Sequence, residues 1–225
     1  MYAIVVIPIS LCGGLFTAGL LTTRIRGTDL FKAIIYFPAL FTGAETAVLW
    51  VNMLNKDHGA LNYILSWFHI RPVDWTDASH AFMSVVLMNV FWIGGAMIIY
   101  YAGMKQIPAA LYEAADLDGA TLARKFLNIT IPMLSPVILF MVVMTTIGSF
   151  QVFTPALFFA PDSTQIGGPD DALRFYSVNI YDQAFNNLRM GAACSYAIVL
   201  FLIIFAITYV QLRVARRFVY SETSE

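Results

Sequence analysis

The sequence predicts an all-α protein, a polytopic transmembrane helical bundle with about five spanning helices. Three observations carry that reading. Of the 225 residues, 59% are hydrophobic and 12% charged, against roughly 25% charged in an ordinary soluble domain, and the mean hydropathy is +0.72. A single small core cannot cover that much apolar surface, so lipid is the solvent that fits. Five stretches also run for about 20 residues almost without charge, enough for a helix to cross a hydrocarbon layer about 30 Å thick. Finally, these stretches are about twice the length of a barrel strand and lack its strict alternation. Helices, which satisfy their own backbone hydrogen bonds, are therefore the form they must take in lipid.

The first span covers residues 2–23, with no charge before Arg24. Gly13, Gly14, Thr17 and Ala18 give it a small-residue spacing suited to close helix packing. The second covers about residues 30–51, interrupted by Lys32 near its start and by Glu45. The third covers 79–104, and its Gly94-Gly95 pair permits either a bend or tight packing. The fourth covers about 131–153 and the fifth 190–212. Together they form one transmembrane domain over residues 1–225, with connections at 52–78, 103–132 and 154–189.

Charge sets the expected orientation. The connections after the first and third spans, together with the C-terminal tail, hold Arg24, Arg26, Lys32, Lys105, Arg124, Lys125, Arg213, Arg216 and Arg217. The other two hold Lys56, Arg71, Arg174 and Arg189. The positive-inside rule makes the first set cytoplasmic, placing the N-terminus outside and the C-terminus inside the cell membrane. A net charge of -1 excludes the basic face of a nucleic-acid binder. Cys12 and Cys194 have no metal or redox spacing and read as reduced core residues. His58, His69 and His80 fall on or near the outer connections, also without metal spacing.

In the outer connection 52–78, residues 61–68 read as a short interfacial helix anchored by Tyr63, Trp67 and Trp75. In the other, 154–189, Pro155, Pro161 and Gly167-Gly168-Pro169 break the chain. Leu173, Tyr176, Ile180, Ala184 and Leu188 then recur at helical spacing. These loops are suited either to receiving a partner or to shielding the bundle. The cytoplasmic connection is the most informative. Pro108 can open a helix, residues 109–117 propagate it, Gly119 stops it, and Thr121 caps a second short helix over 122–129. Two short amphipathic helices at a corner, carrying charges that cannot enter lipid, fit a groove on another protein.

The run Glu113-Ala114-Ala115, three residues, Gly119, nine residues and Ile129-Thr130-Ile131-Pro132 resembles the EAA loop of permease subunits of binding-protein-dependent ABC importers. Ile131 stands where the family usually has Leu. Residues 112–121, Ile147-Gly148-Ser149-Phe150-Gln151-Val152-Phe153 and Tyr181-Asp182-Gln183-Ala184-Phe185 extend the resemblance to the carbohydrate-uptake branch, the maltose-transporter-like sugar permeases. Ala123 departs from the aromatic residue common there. The resemblance covers essentially the whole chain. It implies a cytoplasmic two-helix coupling loop docked on a separate ATPase through Glu113, Ala114, Ala115, Asp118, Gly119 and Thr121. Small Ala114 and Ala115 allow close approach, Glu113 pairs with a cation, Asp118 caps the turn and Gly119 reverses the chain. The alternative for Glu113 is a solvated surface charge.

The same resemblance implies a second permease, two ATPase subunits carrying ATP and Mg, an extracytoplasmic solute-binding protein and a sugar as cargo. This chain contains no nucleotide-binding Gly-x-x-x-x-Gly-Lys-Ser/Thr loop, so it is not expected to be an enzyme or to hold a cofactor. Family members commonly have six or more spans and a cytoplasmic N-terminus, so five spans starting outside correspond to that plan without its first helix. Candidate pathway residues are Glu45, Asn89, Trp92, Ser149, Gln151 and Tyr196: polar or aromatic groups that could orient hydroxyls or stack on a sugar ring. The competing role for Asn and Gln is to join helices. Glycerol phosphate is the rival cargo, and a mid-depth cation is missing for it. A membrane enzyme would need clustered intramembrane acids or histidines, where only Glu45 is found. A non-transporting scaffold or remnant is the remaining alternative.

Overall fold

The computed structural model describes residues 1–22, 27–41, 43–159 and 166–216. The expectations placed on Thr23, Arg24, Arg26, Pro161 and Arg217 lie outside them. Helix α1 (Tyr2–Thr22) is followed by α2 (Thr28–Tyr36), whose last turn tightens over Phe37–Leu40, and by α3 (Ala44–Met53). A short α4 (Ala60–Trp67) precedes α5 (Ala78–Phe91) and α6 (Ile93–Gln106). Next come α7 (Ala109–Leu117), α8 (Leu122–Lys125), a π-helical turn at Phe126–Thr130, and the brief α9 (Ile131–Met133). Helix α10 (Ser135–Phe150), α11 (Thr154–Phe158), α12 (Tyr176–Tyr181), a second π-helical turn (Asp182–Asn186) and α13 (Met190–Ala215) complete the order.

Among the described residues, four helical stretches are long and apolar enough to cross a membrane: Tyr2–Thr22, Ala78–Gln106, Ser135–Phe158 and Met190–Ala215. The second expected span is not one straight rod. Thr28–Leu40 and Ala44–Met53 are inclined at 104° to each other, so the two halves form a broken span or a re-entrant hairpin. Pro38 within the last turn and Gly43 at φ 84°, ahead of α3, are the local breakers. The third span is also interrupted, at Trp92, whose ψ of 1° ends α5 and starts α6.

Helix α1 packs chiefly along α6 and α10, with Ala18 fully buried. The small-residue stripe of the first span therefore does serve helix packing. Gly94 lets α2 approach α6: a β-carbon there would lie 2.2 Å from the Ile35 carbonyl oxygen. Two apolar clusters result. One, at the elbow end, gathers Ala18, Met97, Tyr100, Met104 and Leu134. The other gathers Tyr2, Trp50, Val85, Ala156, Leu173 and Val178. Lys32 is accommodated by Asp29 at 3.0 Å and by the Tyr101 ring at 4.1 Å. Cys12 and Cys194 are free but exposed on the outer faces of their helices, which corrects their assignment to a core.

Candidate functional site

The elbow following α6 forms for local reasons. Pro108 occupies the N-cap position in extended conformation, so α7 starts one residue later than a proline-opened helix. At its other end, Asp118 is the C-cap and Gly119 has φ 69°. The Gly119 amide donates to the Asp116 carbonyl at 3.1 Å and the Ala120 amide to that of Ala115 at 2.9 Å. That pair of bonds is a Schellman closure, which requires a left-handed residue at the glycine position. Thr121 caps α8, its hydroxyl accepting the Arg124 amide at 3.4 Å. The second elbow helix was expected over 122–129. Its α-helical part ends at Lys125 and the rest is the π-helical turn.

The two faces of α7 are chemically distinct. Glu113 and Ala114 are exposed with Ala110 and Leu117, an i, i+3, i+4, i+7 set on one side. Leu117 is 91% exposed, and Leu122 across the turn is 77% exposed. Ala115 and Tyr112, half-buried, turn toward the bundle, which separates Ala115 from the outward surface assigned to Ala114. Asp118, Gly119 and Thr121 are exposed. Asp118 contributes to the turn through its backbone amide, donated to the Ala114 carbonyl.

Sequence reasoning missed what holds the two halves of the elbow together. The Tyr112 hydroxyl lies 2.8 Å from Thr130 Oγ1, and Lys125 Nζ pairs with Asp116. Lys125 keeps only 12% of its side chain exposed. These partners lie 18 and 9 residues apart, beyond any helix-turn spacing, so no periodicity announces them. Behind them a cavity of about 590 Å³ separates the elbow from the ends of α1 and α6, with Phe16, Leu20, Met104 and Phe126 in its walls.

The pathway candidates are not brought into one site. Asn89 is half-buried, and its amide donates to the Tyr2 hydroxyl, the helix-joining role. Ser149 donates to the Thr146 carbonyl at 2.8 Å, and Gln151 is exposed at the C-cap of α10. Tyr196 sets its ring against Tyr176, centroids 6.2 Å apart. Glu45 is exposed in the first turn of α3. Trp92 lies at the α5–α6 break, and its indole nitrogen is buried without a partner. The neighbour of Glu45, Thr46, also has a buried, unpartnered hydroxyl and lines the same cavity as Trp92. Thr46 was not anticipated, although its position three residues after Gly43 in an apolar run was a usable signal.

Residues 1–220 match the family profile described as binding-protein-dependent transport system inner membrane component. The probable ABC transporter permease protein YesP of Bacillus subtilis is 33% identical over 100% of this chain and 72% of its own length. AraP of Halalkalibacterium halodurans, named an arabinooligosaccharides transport system permease protein, is 30% identical over 88% of this chain and 62% of its own length. UgpA of Yersinia pestis, named for sn-glycerol-3-phosphate transport, is 28% identical over 96% of the chain and 72% of its own length. Among solved structures, a bacterial ABC transporter that imports the acidic polysaccharide alginate superposes with a TM-score of 0.80 at 23% identity, covering 95% of this chain and 79% of that one.

Proposed function

The chain belongs to the family of binding-protein-dependent transport system inner membrane components, and from that premise we propose that it forms one half of the pathway of an ATP-driven importer for a carbohydrate or related polyol. The observation that carries this reading is the elbow. Its Glu113, Ala114 and Leu117 project outward, Leu122 is exposed across the turn, and Tyr112 and Lys125 lock α7 against α8 and the π-helical turn that leads toward α10. Apolar side chains exposed outside the spans support a protein contact there, and an elbow locked to the chain leading into α10 would pass movement to that span.

Two ATPase subunits dock at this elbow and its counterpart on a second permease. ATP and Mg bind to those subunits, and this chain contributes no catalytic residue. Residues 1–225 act as one transmembrane unit, with the elbow and the C-terminus in the cytoplasm and the N-terminal end of α1 facing the solute-binding protein. Similarity to UgpA favours glycerol 3-phosphate as a second reading of the cargo. The AraP relative and the neutral lining around Thr46 and Trp92 support the carbohydrate.

Purification of the assembled transporter with Glu113→Lys or Gly119→Val tests the docking role. Membrane insertion is expected to be intact while ATPase co-purification and uptake fall at least tenfold. Wild-type co-purification and uptake in both variants would contradict it.

A further inference from the structure

Helix α1 has two faces where it nears the elbow. Ala18 is fully buried on the side packed along α6, while Phe16 and Leu20, one turn apart, are 66% and 48% exposed. Thr22 ends the helix, so Leu20 and Phe16 stand about 3 and 9 Å above that end by helical rise. They form one wall of the cavity of about 590 Å³ behind the elbow, and Met104 and Phe126 contribute further apolar wall. At the helix ends the lining turns cationic. Lys105, exposed one residue before α6 ends, lines the cavity together with Lys125, and no carboxylate is among the lining residues.

The chain does not neutralise this charge. Asp116 pairs with Lys125, but Lys105 has no acidic partner among the described residues. Its ammonium lies 5.6 Å from the centre of the Tyr101 ring, and that of Lys32 lies 4.1 Å from the same ring, which gathers positive charge at this end of α6. By contrast, a cavity of about 320 Å³ beside Gly168 sets Asp170, Asp171 and Asp182 against Arg174 alone. An apolar slot that runs up the outward face of a span from an unneutralised cation matches a molecule with an anionic head and a hydrocarbon tail. A membrane supplies such a molecule at that depth. Its cytoplasmic leaflet is rich in anionic lipids, and basic pockets between spans on that side bind their headgroups.

We propose that this cavity seats one anionic phospholipid of the cytoplasmic leaflet, with its phosphate on Lys105, Lys125 beside it, and an acyl chain along Phe16, Leu20 and Phe126. The lipid fills the space that separates the elbow from the end of α1. This rests on the cytoplasmic placement of the elbow proposed above and adds Lys105 as a headgroup-binding residue.

The test uses the complete transporter in phosphatidylcholine vesicles carrying a trace of phosphatidylglycerol with a photoactivatable acyl chain, confined to the leaflet that faces the ATPase subunits. Labelled peptides are mapped by mass spectrometry. Phosphatidylglycerol is expected to label the peptides holding Phe16, Leu20 and Phe126 several-fold more than a photoactivatable phosphatidylcholine does, and an excess of inorganic phosphate should not compete. Lys105→Gln should lower that labelling about fivefold, the worth of one cation at an anionic surface, and Lys105→Arg should restore it. Labelling of α13 around Phe201 and Phe205, exposed apolar residues, should be the same in all variants, which reports intact insertion. Equal labelling by the two lipids, or labelling indifferent to Lys105→Gln while the ATPase subunits co-purify, would overturn the lipid site and leave the docking reading standing. Crosslinking of these peptides to a protein segment in place of lipid would do the same. Labelling of the cavity only by phosphatidylglycerol placed in the opposite leaflet would overturn both.

Discussion

The connection between α3 and α5 and the elbow between α6 and α10 are of similar length and solve opposite problems. The first closes on itself. Asn62, 6% exposed, donates to the carbonyls of Lys56 at 3.0 Å and Val73 at 2.8 Å, and accepts the Val73 amide at 3.2 Å and the Trp75 indole at 2.9 Å. Asn55 receives the amides of Asp57 and His58 in the adjoining turn. One buried amide thus organises the polar backbone of this loop. The elbow spends its polar groups at its root, on Tyr112, Thr130, Asp116 and Lys125, and leaves Leu117 and Leu122 open. Both leave apolar side chains exposed, Tyr63, Trp67 and Phe68 in the first and Leu117 and Leu122 in the elbow; they differ in their polar groups, which in the first converge on one buried amide and in the elbow pair helix with helix.

That contrast can be broken by substitution. The largest effect is expected at Gly119, where any β-branched residue must adopt φ 69°, at a cost of about 1–2 kcal/mol, and disturb the Schellman closure. Gly119→Val should reduce ATP-coupled uptake at least tenfold with little change in membrane abundance. In the other connection, Asn62→Ala strands the Val73 amide and the Trp75 indole, costing about 2–4 kcal/mol. The expected outcome is a thermal midpoint lower by roughly 5 °C or more in detergent, with ATPase co-purification retained. If Asn62→Ala uncoupled transport without destabilising the protein, the division between the two loops would fail.

Leu117→Asp reverses the sign of that experiment. It sits on a surface already in water, so stability should stay within about 0.5 kcal/mol while ATPase recovery in pull-downs falls several-fold. Tyr112→Phe removes one hydroxyl contact with Thr130 and is expected to cost about 1 kcal/mol, read as a modest drop in the ratio of uptake to ATP hydrolysis. The smallest effect concerns Asp77, at the N-cap of α5, where the Ser79 hydroxyl donates to the carboxylate at 2.8 Å and holds its pKa below the ordinary value. Because the folded pKa is depressed, this contribution is present above the unfolded value near 4 and disappears as pH falls through the folded one. Asp77→Asn should therefore lessen the acid sensitivity of thermal stability slightly and leave the neutral-pH value almost unchanged.

The spans were legible because crossing a hydrocarbon layer requires a long uncharged run, and Tyr2–Thr22 and Met190–Ala215 appear within three residues of the expected ends. The elbow was legible because its punctuation is local: Pro108, Gly119 and Thr121 each act on neighbouring backbone, and each marks a helix boundary. The 104° bend before α3 was not read from hydropathy, since an apolar run scores alike whether straight or folded. The partners of Tyr112 and Asp116 were hidden because tertiary packing chooses them. Asn89 could not be assigned for the same reason: a polar residue at mid-helix suits a solute or another helix equally, and its contact with Tyr2 is the structural sign of the second.

The most direct measurement is photocrosslinking from a benzoylphenylalanine placed at Ala114, on the exposed face of α7, in membranes containing the whole transporter. The account predicts an adduct with the ATPase subunit whose yield changes on adding ATP. An adduct formed only within the permease, or only with the extracytoplasmic solute-binding protein, would contradict it.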